Sequence, residues 1–247
     1  MRKLITALLL VFVLLISSFV ILKILAAGSE DNFFNQKYRP QLGRSQLLRQ
    51  ILQLHDYGDQ RYEYLGSKNS TIDIEIDSMD GLVISDKALN LLVEKIAAVT
   101  GKKVIYYFSD HNILFTESVE PDYIDTLVKI YRDDSKPAPG VAKLYILYLS
   151  QSADHPTELG ITHGEYGIIL FDTGIKNLTQ SNPMTFDSYV ESTALHEFGH
   201  QLGLGHNERA NCLMNAKVES DGNIYYNSTD VITDFCDYEK ALIRANY

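Results

Sequence analysis

One run of eleven residues constrains this chain more than any other feature, because it places three histidines at fixed spacings. The run reads His196-Glu197-Phe198-Gly199-His200-Gln201-Leu202-Gly203-Leu204-Gly205-His206. On a helix, His196 and His200 project from one face, so their imidazoles can hold one metal ion between them. Glu197 is rotated around the helix from His196, which puts its carboxylate beside such an ion. The spacing therefore predicts a helix that carries a metal site.

A third histidine ligand requires this helix to end soon after His200. Gly203 can adopt the left-handed backbone conformation that ends a helix and turns the chain sharply, so His206 can return beneath the metal ion. Three neutral imidazoles and a water molecule form the open shell of catalytic zinc, whereas structural zinc is closed by four protein ligands. We therefore predict one catalytic Zn²⁺ held by His196, His200 and His206, with Glu197 as the general base. The alternative, ordinary surface histidines on an amphipathic helix, would require five residues to fall into one register by chance.

The run resembles the motif of the metzincin clan of zinc peptidases, His-Glu-x-x-His-x-x-Gly-x-x-His followed by a methionine-containing turn. Met214 lies eight residues after His206, at the spacing of that Met-turn. The resemblance implies that Met214 forms an apolar floor beneath the metal ion, whereas without it Met214 would be interpreted as a core residue. It also implies a zincin fold of the α/β (α+β) class. Such a fold has a mixed twisted sheet, backing helices, an active-site helix and a small C-terminal subdomain.

The C-terminal part is most similar to the archaemetzincins, a family whose four cysteines after the third histidine bind a second, structural zinc ion. The corresponding segments here are Asn207, Cys212-Leu213-Met214-Asn215 and Phe235-Cys236-Asp237-Tyr238-Glu239. Asn207 and Glu239 replace two of the thiolates, which argues against the second ion. Cys212 and Cys236 could form a disulfide that links the Met-turn to the C-terminal helix, or stay two buried thiols. Matrixins have a similar spacing, but the chain lacks their upstream cysteine-switch motif.

The N-terminus carries an uncharged apolar segment, Leu4–Leu22, preceded by Arg2 and Lys3. This length is close to the roughly 20 residues that cross a bilayer and longer than the about 7–15 of a signal-peptide core. We predict that residues 1–27 form an uncleaved signal anchor, with a cleaved signal and a secreted protein as the alternative. The positive-inside tendency then places residues 28–247 outside the cell membrane.

The charge of the chain excludes some partners. All 32 acidic residues lie beyond residue 27, together with 19 of the 22 basic residues, which leaves this part with a net charge of −13. A strongly acidic protein is repelled by phosphates, so neither nucleic acid nor an anionic membrane surface is expected as a partner.

Residues 28–66 are predicted to form a linker, with a possible helix over Ser45–Leu54, and residues 67–247 to form the catalytic domain. The apolar fraction of 45% is sufficient for a core. Periodicity predicts strands and helices in alternation: strands at Thr71–Asp77, Lys103–Phe108 and Lys143–Leu149, and helices at Ser85–Ala98 and Pro121–Tyr131.

A last strand, Gly167-Ile168-Ile169-Leu170-Phe171, is predicted before the active helix. By its order in the chain, the resemblance implies that this strand is antiparallel to its neighbours and forms the rim of the cleft, where an extended substrate adds as another strand. The active helix is predicted to begin near Asp187 or Ser188, because Ser188 and Glu191 resemble a capping box. Four other histidines are expected to be surface or hydrogen-bonded residues: His55, His111, His155 and His163.

These features together predict a membrane-anchored, outward-facing zinc metallopeptidase that acts on peptides or proteins. The loop Lys217–Asp230 is expected to line its specificity pocket. Two other functions remain open at this stage. One is a catalytically silent zinc-binding ectodomain that serves as an interaction module, which Glu197 argues against because a pure metal binder needs no carboxylate there. The other is a metallohydrolase of a non-protein polymer at the cell surface.

Overall fold

A five-stranded mixed sheet forms the centre of the protein. The computed structural model describes the chain except residues 1, 27–32, 53, 55–57, 134, 136, 165–166, 216–230 and 246–247. The strands are β1 (Thr71–Ser78), β2 (Lys103–Phe108), β3 (Val141–Leu149), β4 (Gly160–His163) and β5 (Gly167–Phe171), and their order in the sheet is β2-β1-β3-β5-β4. The pairs β1/β2, β1/β3 and β3/β5 are parallel, whereas β4 is antiparallel to β5. The predicted α/β class with a mixed sheet is confirmed.

The helices between the strands end where local signals predict. Helix α6 (Asp86–Thr100) begins at Ser85, whose Oγ accepts the backbone N–H of Ala88 at 3.1 Å, and it ends at Gly101, which has a φ of +67°. Helix α7 (Pro121–Tyr131) begins at a proline, which has no N–H to leave unpaired in the first turn. These helices cross over between strands that run in the same direction.

Alternating side chains of the strands build a separate core on each side of the sheet. Ile72, Ile74 and Ile76 are buried in the main core with α6. On the other side, Tyr145, Leu147 and Leu149 pack with α7 in a second core. Successive side chains of a strand point to opposite faces, so these strands are covered on both sides, as parallel strands usually are.

Strand β5 corrects one prediction. Gly167–Phe171 is not the antiparallel rim strand, because it is parallel to β3, pairs with β4 on its other side and is buried at all five positions. Its unbroken apolar run is typical of a strand covered on both faces. The antiparallel strand at this edge of the sheet is β4, which was not predicted because Gly160–His163 is only four residues long.

The chain continues from β5 into α8 (Asp172–Leu178) and a 3₁₀ turn (Pro183–Thr185) before the long helix α9 (Phe186–Gln201). Helix α9 begins at Phe186, one residue before the predicted Asp187, so Ser188 lies inside the helix and the predicted capping box of Ser188 and Glu191 is wrong. After the zinc motif, the last helix, α10, spans Asp237–Ala245.

The N-terminal part contains the long helix α1 (Arg2–Ala26) and four short ones, α2 (Phe33–Lys37), α3 (Arg39–Leu42), α4 (Gln46–Leu52) and α5 (Arg61–Leu65). Within α1, Leu8–Ala26 is long and apolar enough to cross a membrane and is not buried inside the protein, although a signal sequence would have the same properties. Arg39 Nη1 donates to the backbone oxygen of Ala26 at 2.6 Å, and its Nε and Nη2 donate to Asp59 at 2.8 and 2.7 Å.

Helix α5 packs into the main core, although it lies within residues 28–66, where a linker was predicted. Tyr64 and Leu65 belong to the main core, and the ring of Tyr64 lies 5.2 Å from that of Phe198 on α9. The Tyr64 hydroxyl also donates to the backbone oxygen of Lys143 in β3 at 3.1 Å. The folded catalytic unit therefore includes α5. A helix of one turn has too little periodicity to be recognised from sequence.

Candidate metal centre

Helix α9 positions the first two histidines and the glutamate of the motif inside the protein. Thirteen consecutive residues of this helix, 189–201, are buried. His196 and Glu197 are each 1% exposed, and His200 is 7% exposed. Buried titratable side chains are costly unless they have polar partners or a metal ion, so this helix carries more than a packing role.

A sharp turn after α9 returns His206 to the other two histidines. Gly203 has a φ of +81°, and its N–H donates to the backbone oxygen of His200 at 2.8 Å. Gly58 also approaches this turn so closely that a Cβ on it would lie 2.8 Å from the Cα of Gly203. His206 Nε2 thereby lies 3.2 Å from His196 Nε2 and 3.1 Å from His200 Nε2.

The hydrogen bonds of these imidazoles fit a bound metal ion. His196 Nδ1 donates to the backbone oxygen of Leu213 at 2.8 Å, and His200 Nδ1 donates to that of Leu204 at 2.8 Å. Because a carbonyl only accepts, each Nδ1 carries the proton and each Nε2 directs a lone pair towards His206. Two nitrogen ligands of tetrahedral zinc lie roughly 3.3 Å apart, and the observed separations are close to this value. The three rings form a group that could hold a metal ion.

Glu197 makes a contact with the edge strand that the sequence did not predict. The hydroxyl of Thr162 in β4 lies 2.8 Å from Oε2 of Glu197 and 3.0 Å from the backbone oxygen of the same residue. A hydroxyl that donates to a carboxylate restricts its orientation. No sequence signal marks Thr162, because it is 35 residues from Glu197 in the chain.

Met214 packs directly against α9, next to the zinc motif. It is fully buried, and a Cβ on Gly199 would overlap its Sδ and come within 3.0 Å of the Phe235 ring. The backbone oxygen of Met214 accepts the N–H of Asn207 at 2.7 Å, which joins the Met-turn to the residue after His206. The position of Met214 thus depends on the absence of a side chain at Gly199.

The two cysteines are joined as a disulfide, Cys212–Cys236, between the Met-turn and the segment before α10. Asn207 and Glu239 lie together as well, with Asn207 Nδ2 donating to Glu239 Oε1 at 2.9 Å. A disulfide and a polar pair therefore occupy the four positions that correspond to cysteines in the archaemetzincin pattern.

Strand β4 is the edge strand of the sheet beside this centre, and its residues Ile161–His163 are partly exposed, whereas Gly160 is buried. Phe171 N–H donates to the backbone oxygen of Leu159, so these two opposed residues form a hydrogen-bonded pair. Along the antiparallel strands β4 and β5, hydrogen-bonded pairs alternate with pairs that form no hydrogen bond to each other. The backbone N–H and C=O of Gly160 and Thr162 consequently point away from β5. An extended polypeptide could pair with this edge next to Glu197.

Other charged side chains are stabilised by protein contacts. Asp77 accepts from Tyr145 Oη at 3.0 Å and contacts His111 Nδ1 at 3.1 Å, while His163 pairs with Asp125 at 3.1 Å. On α9, burial raises the pKa of Glu191 to about 6.

The predicted pocket loop Lys217–Asp230 and His55 lie outside the described residues.

Comparison with known proteins is consistent with this geometry. The family model described as matrixin matches residues 151–233, which contain the three histidines, Glu197 and Met214. No curated protein matches the chain. Archaemetzincin from Methanopyrus kandleri aligns with a TM-score of 0.50 and 14% identity, over 73% of this chain and 97% of that one. This likeness shows a common fold.

Two other solved structures align less closely. Archaemetzincin from Archaeoglobus fulgidus, in complex with malonate, has a TM-score of 0.43 and 17% identity, over 72% of this chain and 99% of its own. A zinc-dependent peptidase from Methanocorpusculum labreanum has a TM-score of 0.42 and 13% identity, over 70% and 99% of the two chains.

Proposed function

We propose that this chain, a metzincin-like zinc metallopeptidase, hydrolyses peptide bonds at the outer side of a membrane to which its N-terminal helix anchors it. The observation that carries the proposal is the convergence of three imidazole Nε2 atoms beside a buried glutamate. The matrixin match over residues 151–233 supports the same class of enzyme. The substrates would be peptides or proteins.

His196, His200 and His206 would hold the Zn²⁺ ion through Nε2, and the two Nδ1–H hydrogen bonds would keep the first two rings in the required tautomer. When bound, zinc supplies a Lewis acid that polarises the scissile carbonyl and acidifies a water molecule. Glu197 would accept the proton of the attacking water on its carboxylate and return it to the leaving amine. Thr162 would hold that carboxylate in place through its Oε2.

Strand β4 would bind the substrate. The outward backbone groups of Thr162, a partly exposed residue, can form the main-chain hydrogen bonds of an added strand, which depend little on substrate sequence. Because Thr162 also contacts Glu197, a substrate paired with β4 would lie next to the general base. This role replaces the one predicted for Gly167–Phe171.

The decisive experiment measures zinc content and peptide hydrolysis of the full chain in detergent, with Glu197→Gln as the variant. We expect both proteins to bind one zinc ion per chain, while the variant loses about 10²–10⁴-fold in the rate of hydrolysis. Glu208→Gln, at an exposed glutamate, is the matched control and should retain activity. Absence of zinc from the parent would overturn the proposal.

The same experiment separates the alternative functions. Zinc in the parent without cleavage of any peptide in a mixed library would favour a silent binding module. Zinc with hydrolysis of an isolated cell-surface polymer, but not of peptides, would instead identify a metallohydrolase of that polymer.

The membrane anchor requires a separate measurement. Helix α1 presents an exposed apolar surface over Leu8–Ala26, and Arg2 and Lys3 precede it, so the positive-inside tendency predicts an outward catalytic domain. We expect the chain to remain in the membrane fraction after alkaline extraction and to be digested by protease added outside intact cells. Release of the chain into the medium would instead identify α1 as a cleaved signal.

A further inference from the structure

A buried carboxylate outside the zinc motif organises the Met-turn. Glu239 is 1% exposed, and its two oxygens accept four N–H groups. The donors are Met214 N at 2.7 Å, Asn207 Nδ2 at 2.9 Å, Cys236 N at 2.9 Å and Leu213 N at 3.1 Å. All four partners are donors, so both oxygens of the Glu239 side chain act as hydrogen-bond acceptors, as those of a carboxylate do. Glu239 thus joins three separate parts of the chain.

One of these hydrogen bonds leads directly to a zinc ligand. The N–H of Met214 and the C=O of Leu213 belong to the same peptide group. Its N–H donates to Glu239 Oε1, and its oxygen accepts Nδ1–H of His196 at 2.8 Å. Glu239, one peptide group and the His196 imidazole therefore form a continuous chain of hydrogen bonds that ends at the metal-facing Nε2.

Such a chain strengthens the imidazole as a ligand. A carboxylate that accepts a peptide N–H polarises the peptide and increases the negative charge on its oxygen. A more negative oxygen binds Nδ1–H more strongly, which orients the ring and raises the basicity of Nε2. His200 provides an internal comparison, because its Nδ1 donates to Leu204 in the turn after α9 and not to the segment that Glu239 holds.

We propose that Glu239 is a positioning residue for the zinc ligand His196, acting through the Leu213–Met214 peptide group. The proposal rests on the zinc site of the proposed function. The proposal also explains how the Met-turn is held in this chain, where Asn207 and Glu239 replace two thiolates. The Glu239 carboxylate, with its four N–H donors, joins the same segments as the disulfide.

The test is the zinc affinity of Glu239→Gln, measured on the full chain by competition with a chromophoric chelator. Glutamine keeps the shape but loses the charge and presents an amide NH₂ to N–H donors. We expect zinc to bind about 10–100-fold more weakly, as is typical when an outer partner of a metal ligand is removed. Glu208→Gln makes the same chemical change at an exposed position and should bind zinc like the parent.

A spectroscopic measurement separates positioning from a general loosening of the turn. In the cobalt-substituted protein, each ligand imidazole with a proton on Nδ1 gives a paramagnetically shifted N–H resonance. We expect Glu239→Gln to move the His196 resonance and to leave that of His200 in place. The double variant Cys212→Ala, Cys236→Ala removes the covalent link between these segments, and it should lower thermal stability without moving the His196 resonance.

The outcomes distinguish this inference from the proposed function. If the parent binds neither zinc nor cobalt, both are overturned. If the parent binds metal but Glu239→Gln binds it no more weakly than Glu208→Gln, or if the His196 and His200 resonances move together, only the role of Glu239 is overturned. Should Glu239→Gln fail to fold, Glu239→Asp keeps the charge with a shorter side chain, and a shift confined to His196 is again expected.

Discussion

Among single residues, Thr162 connects the two parts of the candidate active site. Its backbone faces the free edge of β4, while its hydroxyl contacts the carboxylate of Glu197 at 2.8 Å. We expect Thr162→Val to lower kcat about 10–100-fold, because a hydrogen bond to a charged group contributes about 1.5–3 kcal/mol. Zinc content should not change. Steady-state kinetics with a peptide substrate measure the effect, and Thr162→Ser should restore most of the rate. Equal kcat in the parent and the valine variant would contradict this role.

Glu191 makes the stability of the protein depend on pH. Burial raises its pKa from 4.5 to about 6 in the folded protein. Protonated Glu191 therefore favours the folded state, a contribution that is complete below pH 4.5 and is lost as pH rises through about 6. We expect Glu191→Gln to raise the free energy of unfolding at pH 7.5 by about 1–2 kcal/mol relative to the parent. The gain should almost vanish near pH 4.5, and urea unfolding at the two pH values measures it. A gain of equal size at both would show that ionisation of Glu191 is not the cause.

Among secondary-structure elements, the contact between α9 and the Met-turn requires a glycine inside a helix. Alanine at position 199 would gain about 1 kcal/mol in helix propensity. Its Cβ would, however, overlap buried Met214, and such overpacking costs about 1–3 kcal/mol. We expect Gly199→Ala to lower the melting temperature and weaken zinc binding. Gly205→Ala is the control, because a Cβ there meets no atom within 4 Å. If both variants melt like the parent, the Met-turn adapts more easily than this packing suggests.

For the whole molecule, the disulfide joins the Met-turn to the segment before α10. It joins residues 24 positions apart and encloses residues 216–230 in its loop. Closing a loop of this length contributes about 2–4 kcal/mol to stability. We expect a reductant to lower the free energy of unfolding by this amount, as measured by urea unfolding with and without it. The double variant Cys212→Ser, Cys236→Ser should be equally destabilised and should no longer respond to the reductant.

The N-terminal helices also belong to this whole-molecule organisation. Arg39 connects the end of α1 to Asp59, and Gly58 contacts the turn at Gly203. Contacts of Arg39, Asp59 and Gly58 therefore connect the end of the apolar helix to the turn that positions His206.

The sequence by itself determined the features that depend on local spacing. Residues four apart on a helix share a face, so the spacing of His196 and His200 predicts that their imidazoles lie together. The same locality explains why strands β1, β2 and β3, the crossover helices and the zinc metallopeptidase class were predicted correctly. The chemistry of the donor set, three imidazoles beside a glutamate, likewise identified Zn²⁺ as the cofactor.

Only the tertiary structure decided which elements surround this motif. Whether β5 or β4 lies at the edge of the sheet depends on the strand order. Contacts between residues that are distant in the chain determine that order. Thr162 and Glu239 likewise reach the site across 35 and 25 positions, to Glu197 and Met214. Helix α5 entered the main core through contacts with Phe198 and Lys143. Such contacts arise from the packing of whole elements, and local periodicity shows which face of an element is buried but not which other element it meets.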